Sequence, residues 1–428
     1  MTDYKSTRII DGKPRQVVID ENGEIINRNP NMNKGFEHFP DDCLDYINHP
    51  SHAKPGIHTL HNKLYVVSVV FNPLRFRNRY WNYWTFNSMC EKAGAILYTA
   101  EIAFGEREYE ITSPDNPRHL QLRARDSQEI WLKENALNLI INRLPPEAKY
   151  IAWLDTDISF ARTDWAQETL HELQRYDFLQ LFSHAQDVGP NYEPLTITPG
   201  FVYSKFEEQL GDFNSNSSQN QNSNVNSQDT EAKKAIKGLG LNKCMEECLE
   251  EAFEECLEEC HYYYGAIRMG KEGKPLWKFY HSGFAWAARR ESLSKVGGLI
   301  DYCLLGSGDW HQAHGLFGQM KKTLNVGYSD TYKRLCLEWE RRAEKNIRRN
   351  VGYIPGLINH HWHGKKSNRR YDDRWRLLAD TKYDPISDLR KDVQGLYQLD
   401  DNGDPRFLAL RDGLRRYAKV RDEDNPNL

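Results

Sequence analysis

The sequence predicts an α/β protein with a mostly parallel sheet and helices on both faces. The run Leu64–Phe71 is continuously apolar and rich in β-branched residues, as in a strand that is covered on both faces. Segments with strand and helix periodicity alternate after it, which favours parallel pairing. The apolar run 150–154 leads directly into Asp155 and Asp157, so a buried strand ends in two carboxylates.

Length and composition predict a soluble globular protein. The chain has 428 residues, enough for one large or two ordinary domains, with 39 % hydrophobic and 28 % charged residues. No stretch approaches the roughly 18 to 20 apolar residues of a membrane helix, and the first residues lack a secretory apolar core. We therefore expect a cytoplasmic protein without a membrane partner. Eight scattered or clustered cysteines are expected to be free thiols.

The elements follow in order from the periodicity of the chain. Residues 1–60 are predicted to be an arm, with a small hairpin around the Asn22-Gly23 turn. Residues 61–400 are predicted to form the main domain, and residues 401–428 a basic and polar tail. Leu64–Phe71 begins a βαβ unit: a helix carrying Tyr83, Phe86 and Cys90 ends near Gly94, and a second strand covers 95–104.

Further helices and strands continue the pattern. Ser127 is a candidate cap for a longer helix that Pro145-Pro146 ends. After the aspartate strand come a helix from Trp165 to Leu173, a strand at 178–182, a strand within 278–289 and a helix that ends at Gly297-Gly298.

The pattern breaks between residues 207 and 265. Residues 214–228 are mostly Asn, Ser and Gln, a polar tether with too few apolar groups to fold. Residues 244–260 repeat Cys and Leu or Phe among paired Glu residues at helical spacing, which predicts an inserted acidic amphipathic helix. Its four cysteines could bind zinc, but one continuous helix does not readily converge on a tetrahedron. The alternative is a packing or self-association element.

Polar residues at strand ends are the candidate site. Asp155 and Asp157 suit Mg²⁺ or Mn²⁺ bound to a diphosphate, because these cations prefer carboxylate and phosphate oxygens. Asn72, Arg75 and Arg77 follow the first strand and would contact the same diphosphate, or else are surface loop residues.

Three later segments carry polar and aromatic residues that bear on function. They are His281-Ser-Gly-Phe-Ala-Trp286, Leu305-Gly-Ser-Gly-Asp-Trp310 and His360-His-Trp-His-Gly364. Together with Asp155-Thr-Asp157, their order resembles the GT-A class of nucleotide-sugar glycosyltransferases over roughly residues 62–385. The resemblance implies a Rossmann-like GT-A fold, a nucleotide-sugar donor such as a UDP-sugar, and a Mn²⁺ or Mg²⁺ cofactor.

The resemblance also implies roles for single residues. Asp157, with His361 or His363, would bind the metal, and Asp155 would contact the metal or the ribose. Asp309 would be the general base of an inverting reaction. The chain has Gly-Ser-Gly-Asp309 where many relatives have Gly-Glu-Asp, which leaves inversion or retention open. A sugar and acceptor pocket would contain the following residues: His281, Gly283, Trp286 and Trp310.

Each of these residues also has an ordinary structural interpretation. Asp309 could cap a helix that starts near Trp310, Trp286 could belong to the core, and a histidine is often only a satisfied polar group.

Within the class, the chain looks most like phage and protist enzymes that glycosylate hydroxymethylated pyrimidines in DNA, the group of the base-J glucosyltransferase. Residues 71–77, 153–160, 187–190 and 361–364, with Arg370-Tyr371, carry this likeness. It implies a DNA acceptor, and the host cytoplasm as location if the protein is viral. Basic residues including Arg341, Lys345 and Arg348 would contact DNA phosphates, although such runs are also typical of solvated helix faces. The alternatives are a polysaccharide, lipid-linked sugar or protein acceptor, and a non-catalytic binding module.

Deleting residues 214–260 should leave metal-dependent hydrolysis of the donor close to that of the parent protein, because this segment interrupts the α/β pattern. Circular dichroism would report the fold, and release of nucleoside diphosphate would report the activity. Aggregation of the shortened protein would show instead that the acidic helix belongs to the core.

Overall fold

The computed structural model describes most of the main domain and a few separate strands. It covers residues 62–207, 280–365, 368, 371–400 and 403–425, together with strands at 4–10, 13–19, 25–26, 268–269 and 275–276. The predicted Asn-rich tether and acidic cysteine helix lie outside the described residues. The chain divides into two compact units, Met1–Asn62 and Lys63–Leu428.

The first unit contains a three-stranded antiparallel sheet. Its strands are β1 (Tyr4–Ile10), β2 (Lys13–Ile19) and β3 (Ile25–Ile26). β2 lies between the other two, and it pairs with β3 across the segment in which the Asn-Gly turn was predicted.

The strands of the second unit form a seven-stranded sheet, a four-stranded sheet and two short pairs. In chain order they are β4 (Leu64–Phe71), β5 (Ile96–Phe104), β6 (His119–Ala124), β7 (Tyr150–Leu154), β8 (Ile158–Phe160), β9 (Phe178–Gln180), β10 (His184–Val188), β11 (Pro194–Pro199), β12 (Arg268–Met269), β13 (Pro275–Leu276), β14 (Ala285–Arg289), β15 (Val351–Tyr353), β16 (Leu357–His360), β17 (Leu389–Lys391) and β18 (Tyr397–Leu399).

The helices of this unit are amphipathic or buried segments between those strands. Those with both ends described are α1 (Arg77–Lys92), α2 (Lys133–Ile141), α3 (Trp165–Glu172), α4 (Arg290–Val296), α5 (Gly308–Leu316), α6 (Asp330–Asn346), α7 (Tyr371–Asp380) and α8 (Pro405–Lys419). Among the described residues, no helix is long and apolar enough to cross a membrane.

The seven-stranded sheet confirms the predicted α/β class. Its order is β15-β9-β14-β7-β4-β5-β6, and every neighbouring pair is parallel except the two that β14 makes with β9 and β7. Alternate side chains of β7 enter two cores. Ile151 and Trp153 pack in the core that includes α2, α4, α5 and α6, whereas Ala152 and Leu154 pack on the α1 and α3 side. Helices therefore cover both faces of the sheet.

A smaller sheet lies beyond the end of β7. Its order is β11-β10-β16-β8, with β10 and β16 parallel and the other two pairs antiparallel. β8 begins at Ile158, directly after Asp157, so the chain passes from the large sheet into the small one through the two aspartates. This transition sets the position of the candidate site.

Two predicted elements differ from the structure. Ser127 does not cap the long helix: residues Asp126–Gln128 form a separate 3₁₀ turn, and α2 begins only at Lys133. The predicted helix start at Ser127 was wrong because a local hydrogen bond stabilises the 3₁₀ turn: the side-chain amide oxygen of Gln128 accepts from Arg125 N at 2.8 Å. The segment expected to be a tail contains α8, which is capped by Asp404 and buries Phe407, Leu410 and Leu414.

Glu101 on β5 organises the loop that follows this strand. Its side chain is buried, and its carboxylate accepts hydrogen bonds from the backbone N–H groups of Glu110, Ile111 and Thr112 at 2.7–3.0 Å and from the Thr112 hydroxyl at 2.8 Å. Several donors thus depend on one charged acceptor.

Glu101→Gln should lower the free energy of unfolding by about 1–3 kcal/mol, because an amide NH₂ replaces one acceptor opposite buried N–H donors. Urea denaturation would measure the loss. The exposed Glu106 on the same loop provides the matched control, and Glu106→Gln should stay within about 0.5 kcal/mol of the parent. Equal stability of both variants would contradict this role of Glu101.

Candidate active site

Asp157 lies in a cluster with two histidines. One potential ligand atom each from Asp157, His360 and His363 lies within 4.8 Å of the others, and among the described residues this is the group found that could hold a metal ion. Asp157 Oδ2 is 3.0 Å from His363 Nδ1 and 4.0 Å from His360 Nε2. Both histidines are buried, whereas the Asp157 side chain remains partly exposed. We call these three residues the metal cluster.

The orientation of His360 follows from strand register. Parallel pairing of β10 with β16 places Asp187 opposite His360, and Asp187 Oδ1 lies 2.7 Å from His360 Nδ1. The other Asp187 oxygen accepts from the Thr196 hydroxyl at 2.7 Å. A carboxylate at Nδ1 directs the opposite nitrogen, Nε2, toward Asp157, as in many histidine metal ligands.

The structure places His361 outside this cluster. β16 ends at His360, so the strand-like alternation expected for His361 and His363 does not occur. The His361 side chain lies 3.1 Å from the Ser159 hydroxyl, and its backbone N–H donates to Asp157 O at 2.7 Å. The sequence prediction missed His360, because the position at which the strand ends decides which histidines share a face.

Asp155 forms an ion pair instead of joining the histidines. Lys133 Nζ, at the start of α2, lies 2.7 Å from Asp155 Oδ1 and 3.8 Å from Glu134 Oε1. Burial alone would lower the pKa of Lys133, but the surrounding carboxylates raise it above its usual value. Burial raises the pKa of Asp155, against the opposing effect of Lys133. Neither Lys133 nor Glu134 was anticipated from the sequence.

Asp309 shares a groove with this ion pair. The lining includes Lys133, Glu134, Asp155, Gly283 and Asp309. A Cβ atom on Gly283 would clash with the Asp309 carboxylate, which would then have to move from its present position. Burial raises the pKa of Glu134 to about 7, and the negative charges of Asp309 and Asp155 add to this effect.

The other predicted pocket residues occupy different positions around the groove. His281 stacks on Phe284 with ring centroids 3.6 Å apart. Trp286 is buried and donates from Nε1 to Ser282 O at 2.7 Å, so it forms part of the groove wall and core. Trp310 is partly buried and contacts the His314 ring, with centroids 4.1 Å apart.

The three residues predicted to contact a diphosphate differ from one another in burial and in their contacts. Asn72 is buried and closes its own loop, accepting from Phe76 N at 2.9 Å and donating to Phe76 O at 2.8 Å. Arg75 is exposed and forms an ion pair with Glu110. Arg77 is the exposed first residue of α1. None of these three contacts the metal cluster in any interaction found in the described residues.

A larger cavity of about 150 Å³ lies beyond the ends of β4 and β5. We call it the aromatic cavity. Its lining includes five aromatic side chains and five cations, as follows: Phe71, Phe76, Phe104, Trp131, Tyr417, Arg79, Arg107, Arg415, Lys419 and Arg421. Arg79 and Arg421 both pair with Glu423, whose backbone packs on Gly364 next to His363, so the cavity lies near the metal cluster.

Residues 421–425 pack against the loop that carries His363 of the metal cluster. Glu423 is fully buried and pairs with Arg79 Nη2 at 2.7 Å and with Arg421 Nε at 2.7 Å. Burial would raise the pKa of Glu423, but the two arginines and His363 lower it well below its usual value. A Cβ on Gly364 would lie only 2.8 Å from Arg421 O. Residues 361–364, which we call the histidine loop, therefore pack tightly on this segment.

The basic residues expected to contact DNA lie on and after α6. Arg341, Lys345 and Arg348 are exposed. Arg341 lies 3.7 Å from Glu338, and the neighbouring Arg342 donates to Val296 O at 2.7 Å, which makes Arg342 a structural residue.

No protein-family model matches the chain, and no curated protein matches it in sequence.

Mn²⁺ should bind through Asp157, His360 and His363. His360→Ala and His363→Ala should each abolish tight binding, and Asp187→Asn should weaken it about 10- to 100-fold by releasing His360. Isothermal titration calorimetry would measure the affinities. His361→Ala is the matched control and should bind Mn²⁺ like the parent; equal losses in all three histidine variants would contradict this ligand set.

Proposed function

We propose that this protein is a metal-dependent glycosyltransferase of the GT-A type that uses a nucleotide-sugar donor. The observation that carries the proposal is the metal cluster after the end of β7, together with the aromatic cavity and with the groove that Asp155 and Asp309 line. Ligands of open α/β sheets bind beyond the carboxyl ends of the strands, where all three features lie. The order of motifs along the chain supports the same class.

The residues of the cluster fit a divalent cation that accepts both nitrogen and oxygen. Asp157 offers a carboxylate and two histidines offer imidazole nitrogens, a set that favours Mn²⁺ over Mg²⁺, which prefers oxygen ligands. When bound, such a cation stabilises the negative charge of a departing diphosphate. Asp155, held by Lys133, would contact the ribose or a sugar hydroxyl.

The nucleoside would bind in the aromatic cavity. Flat rings such as Phe104 and Trp131 offer stacking surfaces for a base, and the cations at the rim would attract the phosphates. Arg79 is already neutralised by Glu423. Arg107, Arg415 and Lys419 are therefore the better candidates for donor contacts, although Arg415 forms an ion pair with Glu129.

Asp309 would remove the proton of the acceptor hydroxyl. The acceptor oxygen forms a bond to the anomeric carbon of the sugar while the bond from that carbon to the phosphate oxygen breaks, and the electron pair leaves with the diphosphate. The proton passes to the Asp309 carboxylate. Gly283 leaves the space that this carboxylate occupies.

The proposed acceptor is a hydroxymethylated pyrimidine in DNA. The likeness to DNA-modifying glycosyltransferases suggests it, and the exposed Arg341, Lys345 and Arg348 agree with it because they are available for phosphate contacts.

Nucleoside diphosphate should be released from a UDP-sugar faster with Mn²⁺ than with Mg²⁺, and Asp309→Asn should lower turnover on the order of 100- to 10,000-fold. Donor affinity, measured by calorimetry, should change little. The measurement would screen several UDP-sugars, first with water and then with hydroxymethylated DNA as acceptor.

Asp330→Asn is the matched control, since Asp330 and Asp309 both lie in the first turn of a helix. If the two variants lost equal activity, Asp309 would act as an ordinary helix-terminal carboxylate. Absence of diphosphate release with every donor would refute the enzymatic proposal.

A further inference from the structure

The outer face of α1 carries an exposed stripe of one cation and two indole rings. Arg77, Trp81 and Trp84 are spaced four and three residues apart, so they lie on one side of the helix. Trp81 is 71 % exposed and Trp84 is 53 % exposed. Large aromatic side chains clustered on a surface are typical of an interaction site. We call these three residues the tryptophan stripe.

The stripe is anchored on the protein core. The Trp84 ring packs edge-on against Tyr83, with centroids 5.2 Å apart. Tyr83 is buried, and its hydroxyl lies 2.9 Å from the Thr99 hydroxyl on β5. Trp84 is thereby held in place while more than half of its surface faces solvent. A ring that is already fixed loses little conformational entropy when a ligand stacks on it.

The charge at the start of α1 favours an anion. The first turn has no acidic residue and contains Arg77 and Arg79, although a helix N-terminus disfavours cations. Glu423 neutralises Arg79, whereas the Arg77 side chain is exposed at the end of the stripe. A phosphate would pair with the Arg77 guanidinium, since the Asp424 carboxylate already accepts from the backbone N–H groups at this helix end.

The stripe begins beside the proposed active site. Asp424 accepts from the backbone N–H groups of Arg77 and Asn78 at 2.9 and 3.0 Å, and the adjacent Glu423 pairs with Arg79. The Glu423 backbone packs on Gly364, the residue that follows His363 of the metal cluster. A polymer that crosses the first turn of α1 therefore passes next to the metal cluster.

We propose that Arg77, Trp81 and Trp84 bind an unpaired stretch of the acceptor polynucleotide, with bases stacked on the indoles and a phosphate on Arg77. The inference rests on the proposed function for the identity of the acceptor. A cation beside aromatic rings is the combination that single-stranded nucleic acid requires. A neutral glycan would also stack on tryptophan, but it offers no charge to Arg77.

Fluorescence anisotropy with a fluorescein-labelled oligothymidylate tests the stripe on the full-length protein. Trp81→Ala and Trp84→Ala should each weaken binding on the order of 5- to 100-fold, and the Phe variants should recover most of the affinity, because stacking needs only an aromatic face. Arg77→Ala should reduce the salt dependence of log affinity by about 0.7, whereas the tryptophan variants should leave that slope unchanged.

Leu408→Ala is the control, because Leu408 is also about half exposed but lies on α8. Unchanged affinity in both tryptophan variants, or equal loss in Leu408→Ala, would overturn the proposal. Binding of a neutral glucan in place of the oligonucleotide would also overturn it. If the stripe binds DNA while every UDP-sugar remains intact, the inference stands and the glycosyltransferase proposal fails.

Discussion

Backbone pairing between β7 and β14 is the interaction on which the candidate site depends. β14 is antiparallel to its neighbours in the otherwise parallel sheet, and its register pairs Ala285 with Leu154. Beyond this pair, the backbone N–H of Asp155 donates to Phe284 O at 2.8 Å. This register brings Gly283 beside the groove at the level of Asp155, where it meets Asp309 from α5. Residues more than 120 positions apart in sequence thus meet because one strand runs antiparallel. A shift of one residue would turn every side chain of β14 to the opposite face of the sheet.

The metal cluster depends on a second, smaller set of pairings. Asp157 lies between β7 and β8, and β16 pairs with β8 on one side and with β10 on the other. His360 is therefore positioned by two strands at once, with Asp187 at its Nδ1 atom. His363 comes from the loop after β16, which packs on residues 421–425. Strand pairing fixes the positions of Asp157 and His360. The position of His363 depends instead on a loop and on residues 421–425, which pack against that loop.

The elements with strong local signals could be predicted from the sequence. The apolar run 64–71, the helix that buries Tyr83, Phe86 and Cys90, and the Gly297 terminus with its left-handed backbone all occur as expected. The structure also brings together Asp157 and His363, two of the residues that the sequence singled out, with 3.0 Å between Asp157 Oδ2 and His363 Nδ1. Residues whose role depends on tertiary position were missed: His360 instead of His361, the Lys133–Glu134 pair at a late helix start, and Glu423. No periodicity marks a buried glutamate whose partners, Arg79 and Arg421, come from different parts of the chain.

The contact between residues 421–425 and α1 has a consequence for how the protein acquires its site. Asn78 donates to Glu423 O across 345 residues of sequence, one of the longest loop closures in the described fold. Contacts of such separation carry a large entropic cost, and they form only after the intervening chain has been ordered. During translation, the sheet could assemble on the ribosome while the histidine loop still lacked its support. We therefore expect the sheet of a nascent chain to form before His363 is held beside Asp157, so that the three residues of the metal cluster come together only after residue 425 has emerged.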